Sequence, residues 1–195
     1  MSGSGAARLL NLGLYQAGWF ACVLGGAHGR PWLGAVAGLA PVAAHLALVE
    51  RRTEEARFVA LVALAGTVVD SAQQAAGTVA FPSGHYAAWL CPGWLTVLWA
   101  QFATLPRHAF AWLARRPVAC ALLGAVGGPL AFLGGERLGA VTFPAGRTAG
   151  YALLALVWAA AFPALMFFAE RSGAFPGRYR RLTATEGPSR GPHGR

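Results

Sequence analysis

The sequence contains no lysine and few charges of any kind. All sixteen basic residues are arginine, and only 12% of the 195 residues are charged, whereas a soluble domain carries about a quarter. Arginine without lysine is typical of a GC-rich, bacterial genome. Apolar residues make up 56% of the chain and occur in long runs. This composition predicts a multi-pass membrane protein rather than a large soluble core.

Cysteine is also scarce. Cys22, Cys91 and Cys120 each lie inside an apolar run, and no CxxC or Cys/His spacing occurs. The pattern therefore argues against a disulfide framework and against a cysteine zinc site. We expect three small buried side chains. The sequence shows no cofactor motif, so we assign no cofactor.

The apolar runs predict an all-α fold, a bundle of six transmembrane helices. Each run is near the roughly 20 residues that a helix needs to cross a bilayer and too long for a barrel strand. The predicted spans are about 9–27, 31–49, 58–80, 87–105, 118–135 and 149–169. We therefore place a six-span domain at residues 1–170. Residues 171–195 are rich in Gly, Pro, Ser and Arg, which predicts a basic, disordered tail that is drawn to anionic lipid.

The arginine distribution predicts the orientation. Only Arg30, Arg137 and Arg147 lie on one side of the predicted membrane, and the other thirteen arginines lie on the opposite side. The positive-inside rule then places both termini in the cytoplasm. The membrane that we predict for the chain is the inner membrane of a bacterium. Because the arginines sit at helix ends and in the tail, orientation explains the net charge of +9 better than nucleic-acid binding does.

The stretch "FPSGH" at 81–85 contains Pro-Ser-Gly-His, one of three blocks of the type-2 phosphatidic acid phosphatases. That family also needs a Lys and an Arg before this block, and a Ser-Arg, His and Asp after it. The chain has no Lys, and nothing after His85 fits the third block. We therefore predict no lipid phosphatase activity, and assign no catalytic residue. Instead we expect a turn in which Ser83 caps the fourth helix, with His85 and Tyr86 at the interface.

Other stretches resemble a known family. They are "NLGLYQAGWFACVLGGAHGRPWLG" at 11–34, "GTVVDS" at 66–71, "WLTVLWAQFATL" at 94–105 and "GGPLAFLGGERLGA" at 127–140. Over roughly residues 8–170 the chain resembles a family of small bacterial inner-membrane proteins that is known only as a domain of unknown function. The resemblance implies a multi-spanning protein. Because genes of this family are described beside genes for lipid-modifying enzymes, it also suggests a link to membrane lipid modification.

Asp70 is the only acidic residue deep within a predicted span. A charge at that depth costs several kcal/mol, so the side chain should face the bundle interior in its protonated form. Gln73 and Gln74 follow one turn later on the same helix face. Gln16 lies deep in the first span and is a further partner. These four residues form the candidate intramembrane site, which is either a structural hydrogen-bonded core or a proton-linked or ligand-binding group.

Three polar residues, Asn11, Glu136 and His108, are weaker candidates. Asn11 is expected near the cytoplasmic interface, and Glu136 is expected to pair with Arg137 at the other interface. His45 and His108 fall toward the cytoplasmic side. Because no two histidines share a helix at metal-ligand spacing, the sequence assigns no metal.

These residues leave three functions open. The first is an accessory component of membrane lipid (fatty acyl) modification, not itself an enzyme, whose partners are membrane lipids and lipid-modifying enzymes. The second is a small proton-linked transporter or channel with Asp70 in its path, although no internal repeat is visible. The third is an intramembrane lipid-modifying enzyme without a recognisable catalytic set. The sequence does not specify an oligomeric state.

Overall fold

The computed structural model describes residues 2–173 and 175–178. These residues form six α-helices and one short 3-10 turn, Ala111–Leu113, and no strand. The helices are α1 Ser2–Ala27, α2 Pro31–Leu48, α3 Arg52–Ala75, α4 Gly93–Phe102, α5 Pro117–Arg137 and α6 Arg147–Arg171. The predicted all-α class is confirmed for this part of the chain.

Within the described residues, four helices are long and apolar enough to cross a membrane. They are α2, α3, α5 and α6. Many of their large apolar side chains face outward; Val36, Leu64, Leu122 and Leu156, for example, are all more than 60% exposed. Apolar side chains that face outward suit contact with lipid. Long helices suit it as well, because a helix satisfies its own backbone hydrogen bonds where no water is present.

The helices pack as two parts: α1 to α4 form the first, and α5 and α6 form the second. Antiparallel α1 and α2 form one pair, α5 and α6 form another, and α4 lies against α1, α2 and α3. Buried aromatic side chains on α4, among them Trp94 and Trp99, fill the space between these helices. Helix α4 is therefore central in the first part, while α5 packs mainly against α6.

The predicted fourth span of 87–105 is wrong as a single helix. Helix α4 has ten residues, begins after Pro92 and ends at Phe102. It is about 15 Å long, half of the roughly 30 Å hydrocarbon core. Residues 87–92 are apolar, but the sequence Cys91-Pro92-Gly93 breaks the helix, because proline lacks the N–H that an interior turn needs.

Small residues allow close helix contacts inside the chain. A Cβ atom at Gly34 would lie 2.7 Å from the carbonyl oxygen of Ala21, and one at Gly124 would overlap the carbonyl oxygen of Trp158. These glycines bring α2 against α1 and α5 against α6, as expected for membrane helices that lack a hydrophobic drive to associate. Gly139 has a different role. It lies in the turn after α5 with a φ of +88°, a backbone conformation that glycine adopts readily because it has no Cβ atom.

Residues 76–92 form a cap over one end of the bundle. Ala80 pairs with Thr142 through two backbone hydrogen bonds, which ties this cap to the α5–α6 connection. The expectation that Ser83 caps the fourth helix is wrong, because its hydroxyl donates to the carbonyl of Gly26. His85 is exposed and contacts the carbonyl of Phe81. The "FPSGH" stretch therefore belongs to the cap.

The described part of the predicted tail lies against the helices. The N–H of Gly177 donates to the carbonyl of Arg107 at 2.8 Å, and the carbonyl of Arg178 accepts from the N–H of Glu50 at 3.1 Å. These residues cover the end of the bundle where α2 meets α3. The predicted disorder of the rest of the tail, at residues 179–195, lies outside the described residues.

Candidate functional site

Asp70 is buried, with 3% of its surface exposed, and both of its oxygens accept hydrogen bonds. Trp99 Nε1 on α4 donates to Oδ2 at 2.7 Å, and Gln73 Nε2 donates to Oδ1 at 3.3 Å. No ion pair to Asp70 occurs within the described part of the chain. The carboxyl group is therefore held by two neutral donors, as expected for an acid in the interior of a membrane protein.

Helix α3 makes room for the contact between Trp99 and Asp70. Gly66 precedes Asp70 by one turn, and a Cβ atom there would overlap the indole ring of Trp99. With no side chain at Gly66, the indole packs directly against α3 and its N–H reaches the carboxyl group one turn further along. The pair Gly66 and Asp70 thus positions Trp99.

Trp99 stands in a cluster of aromatic rings. Its ring stacks on that of Trp158 from α6, with centroids 4.9 Å apart and an angle of 2° between the planes. Phe102 packs edge-on against both rings, and Phe162 lies 5.7 Å from Phe102. These aromatic pairs join α4 to α6 and fix the ring that binds Asp70.

A cavity of about 670 Å³ lies beside this cluster. It is partly open, it is bordered by α1, α4, α5 and α6 and by Asp70 of α3, and its wall is mostly apolar. Glycines widen it, since Gly13 on α1 and Gly127 on α5 have open space where a Cβ atom would be. Its volume falls within the range of about 300–1,000 Å³ that is typical of ligand pockets.

Three polar side chains line this cavity: Tyr15, Gln16 and Asp70. Two of the four residues of the predicted site, Gln16 and Asp70, therefore face the same space, and Gln73 joins them through its hydrogen bond to Asp70. Gln74 does not, because its amide donates to the carbonyls of Ala88 at 2.9 Å and Leu90 at 3.2 Å. Its role is to hold the cap against α3.

Two of the weaker candidates have other partners than expected. Glu136 does not pair with Arg137; its carboxylate accepts from Arg147 Nε and from the hydroxyl of Tyr151, both at 2.7 Å. Asn11, which is expected near the cytoplasmic interface, is fully buried within the protein. It donates to Thr104 at 3.3 Å and accepts from the backbone N–H of Ala109 at 3.2 Å.

A second polar cluster, which the sequence did not reveal, lies where α2 ends and α3 begins. Glu55 is 3% exposed and its carboxylate faces His45, Arg107 and His108. The predicted third span began at residue 58, which left Glu55 in a loop, whereas α3 begins at Arg52. The members come from three separate segments, so no spacing along the chain could show the cluster.

The fold defines a multi-pass helical membrane protein, and a partly open, mostly apolar cavity lies between its helices. Residues 8–164 match a family described as a protein of unknown function (DUF2878). The match covers most of the chain, which therefore belongs to this family. No curated protein and no solved structure matches the sequence.

Proposed function

We propose that this protein binds the acyl chain of a membrane lipid in the 670 Å³ cavity and serves membrane lipid modification as a non-enzymatic component. The observation that carries the proposal is the combination of an apolar wall with the hydrogen-bonded Asp70 at its edge. An acyl chain matches the apolar wall, and a polar group of the same lipid can bond with Gln16 or Asp70. A lipid-modifying enzyme is the partner that would use a lipid held in this way.

The first experiment fills the cavity. Gly127 lines it with open space at the Cβ position, so Gly127→Phe should place a ring in the cavity without displacing a helix. The purified protein is photolabelled with a phospholipid that carries a photoreactive acyl chain. We expect Gly127→Phe to reduce labelling about tenfold, because the ring occupies the volume of the chain.

Val126→Phe is the matched control. Val126 is the preceding residue on α5, is 60% exposed and does not line the cavity. Its labelling should equal that of the unchanged protein. Equal labelling of all three proteins would mean that the lipid contacts only the outer surface, and the proposal would be wrong.

Asp70 also supports a second candidate, a proton-linked transporter. A carboxyl group beside a cavity and without a paired cation among the described residues is the arrangement a proton carrier needs. We expect Asp70→Asn to fold, because its carbonyl oxygen can still accept from Trp99 and Gln73 can turn its amide. A lipid-binding protein with this change should complement a deletion strain, whereas a proton carrier should fail to do so.

Asp70→Leu tests whether the carboxyl group is needed at all. Leucine leaves the N–H of Trp99 and the amide of Gln73 without an acceptor, which costs about 1–3 kcal/mol for each buried group. We expect a lower thermal midpoint in detergent than for Asp70→Asn. Full stability together with full complementation would contradict the proton carrier and would show that Asp70 is not the polar contact of the lipid.

We further propose six passes through a bacterial inner membrane, with both termini in the cytoplasm. The chain from Cys91 to Arg107 supports a fourth pass: Cys91 N–H donates to Ser71 at 3.0 Å, and Arg107 donates to Glu55 at 2.8 Å. Along α3 the distance from Glu55 to Ser71 is about 24 Å. Helix α4 and its flanking turns therefore cover a length of about 24 Å, which is most of the roughly 30 Å that a pass needs.

Reporter fusions test this topology. A phosphatase reporter that is active only outside should be active when fused at Ser83 and inactive when fused after Arg195, as the arginine distribution requires. The reverse pattern, or activity at neither position, would contradict six passes with both ends inside.

A further inference from the structure

We propose that His45, Glu55 and His108 bind a divalent transition-metal ion such as Zn²⁺. The three side chains come from the end of α2, the start of α3 and the turns after α4. All three are buried. Their donor atoms lie within 4.8 Å of one another, so they converge on one point from three directions. The cluster is separate from the apolar cavity, and its role does not depend on the lipid proposed there.

The spacing of the donor atoms fits a small metal ion. His45 Nε2 lies 3.0 Å from Glu55 Oε1, and His108 Nε2 lies 3.6 Å from the same oxygen. Ligand atoms that bind a tetrahedral ion at about 2.1 Å are roughly 3.4 Å apart. The two edges that meet at Oε1 therefore differ from this length by about 0.4 Å or less, and a rotation of one imidazole can shorten the third edge.

The second carboxylate oxygen is bound by Arg107. Its Nη1 donates to Oε2 at 2.8 Å, and its Nη2 binds the carbonyl and the hydroxyl of Ser172 at 3.0 Å and 2.7 Å. The guanidinium group thus holds the carboxylate in place while Oε1 faces the two imidazoles. Outer groups that orient a ligand in this way are usual around metal ions.

Asn11 sets the proton position on His45. Its Oδ1 accepts from the N–H of Ala109, so its Nδ2 faces His45 Nδ1 at 3.5 Å. The proton of the neutral ring then lies on Nε2 and points to Glu55. A metal ion at Nε2 takes the place of that proton, which moves to Nδ1. The Asn11 amide must then turn over to accept it and give up the bond from the Ala109 N–H, a cost that metal binding has to exceed.

A second pocket gives access to the cluster. It has a volume of about 400 Å³, is lined by Glu55, His108 and residues 175–178, and lies at the end of the bundle predicted to face the cytoplasm. Three protein ligands and an adjacent pocket leave room for water in a fourth position. Two imidazoles with one carboxylate favour Zn²⁺ or Fe²⁺ over Mg²⁺ or Ca²⁺, which prefer oxygen ligands.

The test uses the full chain, purified in detergent, stripped with EDTA and titrated with Co²⁺ as a spectroscopic substitute for Zn²⁺. We expect about one ion per chain, visible absorption bands of four-coordinate Co²⁺, and their displacement by Zn²⁺. His45→Gln and His108→Gln should each weaken binding at least tenfold. His28→Gln is the control, because His28 is exposed at the opposite end of the bundle and should change nothing.

Gel filtration and circular dichroism establish that each variant is folded. If a histidine variant fails to fold, the titration of the unchanged protein still tests whether the chain binds a metal ion. A folded, unchanged protein that binds neither Co²⁺ nor Zn²⁺ at micromolar concentration would overturn the proposal. So would equal binding by the unchanged protein and a folded variant that lacks both His45 and His108.

Discussion

Replacing Arg107 with leucine is expected to lower the free energy of unfolding by about 3–5 kcal/mol, because it leaves a buried carboxylate without its cation. Arg107 is fully buried and its guanidinium group contacts Glu55, the carbonyl of Ala169, Ser172 and the ring of Phe58. The change removes all of these contacts at once. The measurement is the thermal midpoint of the purified protein in detergent, followed by the fraction that remains monodisperse on gel filtration.

Two further variants show whether the charge is responsible. Arg51→Gln breaks an exposed ion pair with Glu54, whose two side chains are 64% and 40% exposed, and should cost less than about 1 kcal/mol. Adding Glu55→Gln to Arg107→Leu removes the unpaired carboxylate and should restore part of the stability. An Arg107→Leu protein as stable as Arg51→Gln would show that the cluster contributes nothing to the fold.

Gly124→Ala is expected to destabilise the α5–α6 pair, by about 1–3 kcal/mol or more. The new methyl group would overlap the backbone carbonyl of Trp158, which cannot rotate away as a side chain can. The helices must therefore separate, and with them the Trp158 ring that stacks on Trp99. The same thermal measurement in detergent applies.

Gly127→Ala on the same helix is the matched control. Nothing lies within 4 Å of a Cβ atom at this position, so its midpoint should not fall, and the gain in helix propensity can raise it slightly. If both glycine variants behave alike, the close approach of α5 and α6 at Gly124 is not a stabilising contact.

The helix positions that the sequence predicted best are those with uninterrupted apolar runs. The predicted spans 31–49, 118–135 and 149–169 differ by at most two residues at either end from α2, α5 and α6. The first and third helices instead begin before the predicted start, at Ser2 and Arg52, because polar and charged residues continue a helix that hydrophobicity alone would end. The third helix also ends at Ala75, before the predicted end at residue 80. The fourth span was predicted wrongly because residues 87–92 are apolar, so hydrophobicity alone did not show that the helix begins only after Pro92.

The candidate site was predictable only in part. Depth and helical spacing pointed to Asp70 and Gln73, since both properties are local to one helix. The donor from Trp99 and the space beside it depend on how α4 packs, which no local pattern contains. The polar cluster around Glu55 depends in the same way on His45 and Arg107 meeting across the fold.

The short length of α4 has a consequence for biosynthesis. A translocon recognises a segment by its length and apolarity, and ten helical residues are about half of what an independent span needs. Helix α4 is bound to α3 through Thr67 and Thr96, whose hydroxyls are 2.7 Å apart, and through Trp99 and Asp70. In the six-pass topology proposed above, α4 therefore enters the bilayer together with α3 as a helical hairpin, and a nascent chain halted after α3 leaves Asp70 without the Trp99 donor.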